Sequence, residues 1–409
     1  MNYKIYPPEE LIETTVNVPL SKSLSNRALI INALTVGSTP IDRVADCDDT
    51  RAVTEAITYD ADEINVGAAG TAMRFLTAYF AVQEGRTVTL DGTDRMRQRP
   101  IGPLVDALRT CGAQIEYLVQ EGFPPLRITG SRLTGGEVRI KASVSSQYLS
   151  ALLMVAPLMT DGLTLLPDGE ITSRPYIDMT LGLMSRSGAT IELNGDTIRV
   201  APGCYRPVSF DIEGDWSAAS YWYEVAAISS GFITLQGLYP KSLQGDACVA
   251  RLFTVFGLQS EFDDDGQLEL MPTPDPGARL FVDLADTPDL AQTLAVTCCL
   301  LSIPFNFTGL STLKLKETDR LKAMCDELLK LGFYLHADED NSLRWDGVRF
   351  PVEDAPAIDT YQDHRMAMAF APVSLFFPGI IINNAEVVTK SYPGFWDDLR
   401  QAGFTIEEV

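Results

Sequence analysis

The sequence predicts an α/β protein built from repeated supersecondary units, and three observations carry that prediction. A polar cap followed by a helix rich in small and apolar residues returns six times, over Ser21–Leu34, Gly67–Ala81, Ser143–Met159, Asp215–Ser230, Asp286–Leu301 and Gln362–Phe377. From Gly70 through Ser145, Ser217, Asp289 and His364 the steps are 75, 72, 72 and 75 residues, a period that marks repeated units. A second series of amphipathic helices interleaves with the first and closes on Gly before a strand, as in Cys111-Gly-Ala-Gln-Ile-Glu, Ser187-Gly-Ala-Thr-Ile-Glu and Ala402-Gly-Phe-Thr-Ile-Glu. Phe256-Gly and Leu331-Gly end two more. Short β-rich runs lie between them, at Arg86–Asp91, Glu137–Lys141, Leu163–Leu166, Thr197–Ala201 and Gly231–Gln236. Each unit therefore reads as strands with one buried and one half-exposed helix.

Taken in chain order, the first unit is unlike the rest. Ser23 to Gly70 spans only 47 residues, and Asp48–Thr58 runs into Ile64-Asn-Val with no Gly-terminated helix between, so a trimmed first unit is expected. Its opening stretch, Val18-Pro-Leu-Ser-Lys-Ser-Leu-Ser-Asn-Arg-Ala-Leu, puts Lys22 and Arg27 at the start of a helix that Ser21 or Ser23 caps. Cations there oppose the helix dipole, which favours negative charge at that end. Either this is an ordinary capped surface helix, or free N–H groups, hydroxyls and cations together hold an anion. Six buried helices that all begin with polar residues suggest N-termini gathered around negatively charged ligands, against the alternative of six ordinary capped core helices.

Composition narrows the class. With 409 residues and 46% hydrophobic content, the chain is long enough for two or more domains with real cores. The polar start Met1-Asn-Tyr-Lys-Ile-Tyr does not read as a signal peptide, and no apolar run is long enough to cross a bilayer, so a cytoplasmic protein is expected. The formal net charge of −23 disfavours nucleic acid and anionic membranes as partners. Seven cysteines without a C-x-x-C pair argue against a disulfide framework or structural zinc, and two histidines make a Ser-His-Asp hydrolase or His-ligated metal centre a poor fit.

Eight motifs then occur in order: Ser21-Lys-Ser-Leu-Ser-Asn-Arg, Ala69-Gly-Thr-Ala-Met-Arg, Arg95-Met-Arg-Gln-Arg-Pro-Ile, Ser145-Ser-Gln-Tyr, Ser173-Arg-Pro-Tyr-Ile, Lys316-Glu-Thr-Asp-Arg-Leu, Asp363-His-Arg-Met-Ala-Met and Lys390-Ser-Tyr-Pro. From about Pro19 to Pro393 the chain resembles the 3-phosphoshikimate 1-carboxyvinyltransferases, a family of enolpyruvyl transferases. The resemblance implies an enolpyruvyl-transferase-like fold of two domains, 17–214 and 1–16 with 215–409, each of three repeated units and closing on substrates at a hinge. It implies transfer of the enolpyruvyl group of phosphoenolpyruvate to the 5-hydroxyl of shikimate 3-phosphate, by a monomer, with no cofactor and no metal.

By the same resemblance Lys22, Gly70, Arg95, Gln147, Arg320, Arg365 and Lys390 hold phosphoenolpyruvate. Ser23, Arg27, Ser145, Ser146, Gln147, Ser173, Tyr176, Asp289 and Lys316 hold shikimate 3-phosphate. Asp289 is the implied base for the 5-hydroxyl, with Glu317 and Lys22 as candidates for the other proton transfers. Arg97 and Arg99 are read as surface charges. Departures from the family's usual pattern are Ala68 in place of Asn, Phe75 in place of Pro, Thr312 in place of Asn, and Trp216 in place of a small residue. Transfer to a UDP-amino sugar is the nearest alternative, but its family carries a reactive residue near Arg95-Met-Arg, whereas Cys111 falls late in the following helix. A non-catalytic anion-binding repeat protein is the other.

Overall fold

The computed structural model describes residues 1–141, 145–169, 171–274, 277–338, 341–352 and 354–409. The chain divides into two compact units, Ser21–Ile212 and Met1–Leu20 with Glu213–Val409. It begins with β1 (Tyr3–Tyr6) and β2 (Glu13–Asn17). Next come α1 (Lys22–Ala33) and α2 (Asp48–Thr58), then β3 (Glu63–Asn65), α3 (Gly70–Ala81), β4 (Thr87–Asp91), α4 (Gly102–Thr110), β5 (Gln114–Tyr117) and β6 (Leu126–Thr129). The same order returns in β7 (Gly136–Lys141), α5 (Ser146–Val155), β8 (Leu163–Asp168), α6 (Arg174–Arg186), β9 (Ile191–Asn194) and β10 (Thr197–Val200). It continues through α7 (Trp216–Ser229), β11 (Phe232–Gln236), α8 (Val249–Leu252), β12 (Leu258–Phe262) and β13 (Leu268–Pro272). Then follow β14 (Leu280–Asp283), α9 (Ala291–Leu300), β15 (Phe305–Thr308), α10 (Arg320–Lys330), β16 (His336–Ala337) and β17 (Leu343–Trp345). The chain closes with β18 (Ala357–Ile358), α11 (His364–Phe370), β19 (Ile380–Ile382), α12 (Phe395–Gln401) and β20 (Thr405–Glu408).

Among the described residues, five four-stranded sheets result, two in the Ser21–Ile212 unit (β3-β4-β6-β5 and β7-β8-β10-β9) and three in the other (β2-β11-β13-β12, β14-β15-β17-β16 and β18-β19-β1-β20). All share one rule, with the first two strands parallel and the remaining pairs antiparallel. The N-terminal strands complete sheets begun late in the chain: β1 lies between β19 and β20, and β2 pairs in parallel with β11. Among the described residues, α1 and α2 have no sheet of their own, which is the trimmed first unit.

The buried helices are apolar nearly all round. Every residue of α9 and of α11 is buried, the pattern of a helix enclosed by its own unit. The second series buries one face, as α10 does with Leu321, Ala323, Met324 and Leu328. Gly332 ends α10 at φ +85°, and a Cβ there would fall 2.2 Å from the Phe350 carbonyl oxygen, so only glycine fits.

Three expected helices are broken. Ser143–Met159 becomes α5 and a 3-10 turn, Ala156–Leu158, around Pro157, and Gln362–Phe377 becomes α11 and Ala371–Leu375 around Pro372, because proline cannot donate the next helical hydrogen bond. Ser143 itself lies outside the described residues. The helix expected before Gly257 shortens to α8 between two 3-10 turns, where Val249-Ala-Arg-Leu-Phe-Thr-Val-Phe is rich in β-branched and aromatic residues of low helix propensity.

Candidate active site

In the unit that contains both termini, the first turns of α7, α9 and α11 are tied together by arginines. Asp289 sits in the 3-10 turn Pro288–Leu290 that leads into α9. Its carboxylate does not cap the helix; it accepts from Arg320 Nη1 at 2.8 Å and from Arg365 Nη2 at 3.0 Å, with Lys316 Nζ at 3.4 Å. Burial pushes this carboxyl up, but Arg365, Lys316 and Arg320 outweigh it and hold Asp289 well below the usual carboxylate range. Lys316 is drawn down by burial, which Asp289 partly offsets.

Asp319 caps α10 by accepting from the Lys322 N–H, which directs Arg320, 1% exposed, into the interior. There Asp363 receives Arg320 Nε at 2.6 Å and Nη2 at 3.2 Å, a two-pronged grip that fixes the guanidinium plane. Asp363 also caps α11 through the Arg365 N–H. Glu317 accepts from Arg320 Nη2 at 3.1 Å and from Lys390 Nζ at 2.5 Å. Asp289, Lys316, Glu317, Arg320, Arg365 and Lys390 therefore form one ion-pair network, four cations among carboxylates at helix starts.

In the Ser21–Ile212 unit, Ser21 caps α1 by accepting from the Leu24 N–H. Lys22 Nζ lies 3.7 Å from Asp49 at the start of α2. Arg27 is buried, donating to the Thr180 and Ser150 hydroxyls and to the Tyr176 and Ser23 carbonyls, with its guanidinium over the Phe75 and Tyr176 rings. Burial pushes Arg27 down to about 10. Phe75, one of the departures from the usual family pattern, thus packs on a cation. Ser145 caps α5 through the Gln147 N–H, with buried Ser146 next in the first turn, and Gln147 Nε2 donates to Thr71 Oγ1 beside Gly70, so the starts of α3 and α5 adjoin. Ser173 precedes α6 in the left-handed region at φ +56°, and Tyr176 follows in the first turn. Arg95 is exposed at the head of the 3-10 turn Met96–Gln98.

One expectation is corrected. Arg97 does pair at the surface with Asp91, but Arg99 is only 8% exposed, and a Cβ on Gly70 would fall 2.6 Å from its Nη1. The Arg99 guanidinium covers the start of α3, whereas that of Arg97 lies at the surface on Asp91. Asp363 and Asp49 were also not singled out. The helix-capping position in Asp363-His-Arg was the available signal for the first. Cys111 is fully buried at the end of α4 with its thiol pushed up to about 11 by burial, which is no environment for a nucleophile.

The two units are built from repeated βαβαββ modules, and in the unit that contains both termini cations are buried against carboxylates at helix starts. The solved structures of EPSP synthase from Acinetobacter baumannii share this fold, at TM-scores of 0.77 and 0.78 over the whole of both chains and 20% and 21% identity. A sequence model described as EPSP synthase (3-phosphoshikimate 1-carboxyvinyltransferase) matches residues 7–59 and 57–399. The chain is 51% identical to 3-phosphoshikimate 1-carboxyvinyltransferase of Bacteroides fragilis strain ATCC 25285 over 409 residues, covering 100% of this chain and 99% of the relative. It is 39% identical to that of Vibrio cholerae O1 strain M66-2, over 96% of this chain and 98% of the relative. The chain belongs to the EPSP synthase family.

Proposed function

We propose that this chain transfers the enolpyruvyl group of phosphoenolpyruvate to the 5-hydroxyl of shikimate 3-phosphate and releases phosphate. The observation that supports this best is the network in which Asp289 stays ionised among Lys316, Arg320 and Arg365. Both substrates are polyanions, and fixed cations bind them without reorganisation while stabilising charge that develops in the transition state. On this reading the two units correspond to the domains 17–214 and 1–16 with 215–409.

Arg320, Arg365 and Lys390, with Lys22, Arg95, Gln147 and the backbone at Gly70, hold phosphoenolpyruvate. Arginine suits it because a guanidinium engages two oxygens of a carboxylate or phosphate at once. Ser23, Arg27, Ser145, Ser146, Gln147, Ser173, Tyr176 and Lys316 hold shikimate 3-phosphate. Asp289 takes the proton of the 5-hydroxyl as its oxygen bonds to carbon 2 of phosphoenolpyruvate, while carbon 3 gains a proton. The tetrahedral adduct then loses phosphate and a proton from carbon 3, restoring the double bond. Glu317, beside Lys390, and Lys22, beside Asp49, are the candidates for the transfers at carbon 3 and at the leaving phosphate. A carboxylate held so far down is a weak base in the free enzyme; anionic substrates that draw off Arg365 and Lys316 strengthen it when it is needed.

The enzyme is further proposed to act as a monomer in the cytoplasm, whose reducing conditions suit its seven free cysteines. A phosphate-release assay with each substrate alone and both together tests the activity. Release that needs both supports it; binding without release, or release that needs a UDP-amino sugar instead, overturns it.

A further inference from the structure

A further buried carboxylate, beside the network, has no part in these steps. The 3-10 turn Gly245–Cys248 places Asp246 against the first turn of α7, where the Ser217 hydroxyl donates to Asp246 Oδ2. Asp246 is 3% exposed, and its Oδ1 has no hydrogen-bond partner among the described residues. Ser217 Oγ in turn accepts from Arg365 Nη2 at 3.4 Å, and the same nitrogen donates to Asp289 Oδ2 at 3.0 Å. A chain of hydrogen bonds thus runs Asp246, Ser217, Arg365, Asp289. The turn itself is pinned by Gln244, which accepts from the Trp216 N–H and donates to the Gly214 carbonyl, so Asp246 is held in register with the start of α7.

A buried carboxylate with one empty oxygen is costly to keep, and a purely structural site is served as well by an uncharged side chain. We propose that Asp246 is a positioning residue: by accepting the Ser217 proton it turns the Ser217 lone pairs toward Arg365 and so aims that guanidinium at phosphoenolpyruvate. This rests on the reading that Arg365 binds phosphoenolpyruvate.

Protonation weakens the arrangement: a neutral Asp246 no longer draws the Ser217 hydrogen away from Arg365, so the Ser217 lone pairs lose their fixed aim at the guanidinium. The charged and titratable groups that face Asp246 are Asp289, Arg365 and Asp215, with the Cys248 thiol beside it pushed up to about 11 by burial and hence neutral. Burial and the negative charge of Asp289 push the Asp246 carboxyl up to about 6, with Arg365 and Ser217 opposing. The switch therefore falls within reach of ordinary assay conditions.

The test is steady-state kinetics of Asp246→Asn, Ser217→Ala and the double variant, with melting temperatures measured alongside. Asp246→Asn is expected to raise KM for phosphoenolpyruvate about tenfold, to leave kcat and KM for shikimate 3-phosphate within about threefold, and to flatten the dependence of the first KM on pH around 6. Ser217→Ala should do the same, and the double variant should be no worse than either single change, because all three cut one chain. Wild-type KM and pH profile in Asp246→Asn, or additive losses in the double variant, would overturn the proposal. If Asp246→Asn does not fold, Ser217→Ala alone decides by the same criteria. Arg365→Lys checks the underlying reading separately: an unchanged KM for phosphoenolpyruvate there removes Arg365 from the site, and the positioning role with it.

Discussion

Asp289→Asn is the most informative single change, since it keeps the shape of the side chain and removes its charge and basicity. Four cations, Lys316, Arg320, Arg365 and Lys390, face Asp289, Glu317 and Asp363 in the network, and the substitution leaves two carboxylates against those four. Two effects follow, with opposite consequences for binding and turnover. A positioned base contributes about 10²–10⁴-fold, so kcat should fall by at least about 10²-fold, or ~2.7 kcal/mol of barrier. Binding of anions gains from the uncovered charge, since opposite charges about 4 Å apart attract by about 4 kcal/mol at an effective dielectric constant of about 20. It loses from the looser Arg320 and Arg365, which no longer share an acceptor. With these opposed, the dissociation constant of phosphoenolpyruvate should stay within about tenfold of wild type. Phosphate release at saturating substrates gives kcat, and calorimetric titration gives the dissociation constant. Turnover within about threefold of wild type would reject Asp289 as the base, and a loss confined to affinity would make it only a support for the arginines.

Other perturbations test separate links. Glu224, fully buried in α7 with neither oxygen hydrogen-bonded among the described residues, has its carboxyl pushed well above the usual range by burial. The folded state then binds a proton the unfolded state releases, so this group's contribution to stability is present at low pH and lost as pH rises. Glu224→Gln should therefore melt higher than wild type at pH 8, with the advantage vanishing below about pH 4, where both states are protonated; a pH-independent difference would contradict this. Gly70→Ala drives a methyl group into the Arg99 guanidinium and should raise KM for phosphoenolpyruvate about tenfold, and Gly70→Ala with Arg99→Ala should recover part of the loss; an unchanged KM would show that Arg99 yields freely. Iodoacetamide should label exposed Cys204 and leave turnover intact, whereas inactivation through Cys111 would revive the reactive-cysteine alternative.

The modular plan is legible in the sequence because each unit repeats the same local chemistry. Ser21 caps α1, Ser145 caps α5, Asp215 caps α7 and Asp363 caps α11, each ahead of small and apolar residues. Proline positions were legible too, yet their effect was missed: Pro157 and Pro372 each end a helix early. Site residues could be named one at a time but not joined. Arg320 meets Asp363 across 43 residues of chain, Ser217 meets Asp246 across 29, and Gly70 meets Arg99 across 29. Such pairings are made by the packing of whole helices, which no local pattern encodes. For the same reason Arg97 and Arg99, two residues apart, look alike in sequence and differ entirely in burial.

If the cations of this acidic chain hold two phosphorylated molecules with Asp289 at the reacting hydroxyl, a crystal structure of the protein with shikimate 3-phosphate and a non-reacting phosphoenolpyruvate mimic will show it. The expected result is an Asp289 oxygen within hydrogen-bond distance of the 5-hydroxyl, and Arg320, Arg365 and Lys390 on the carboxylate or phosphate of the mimic. Ligands bound away from Asp289, with the network of Arg320, Arg365 and Glu317 untouched, would refute these roles.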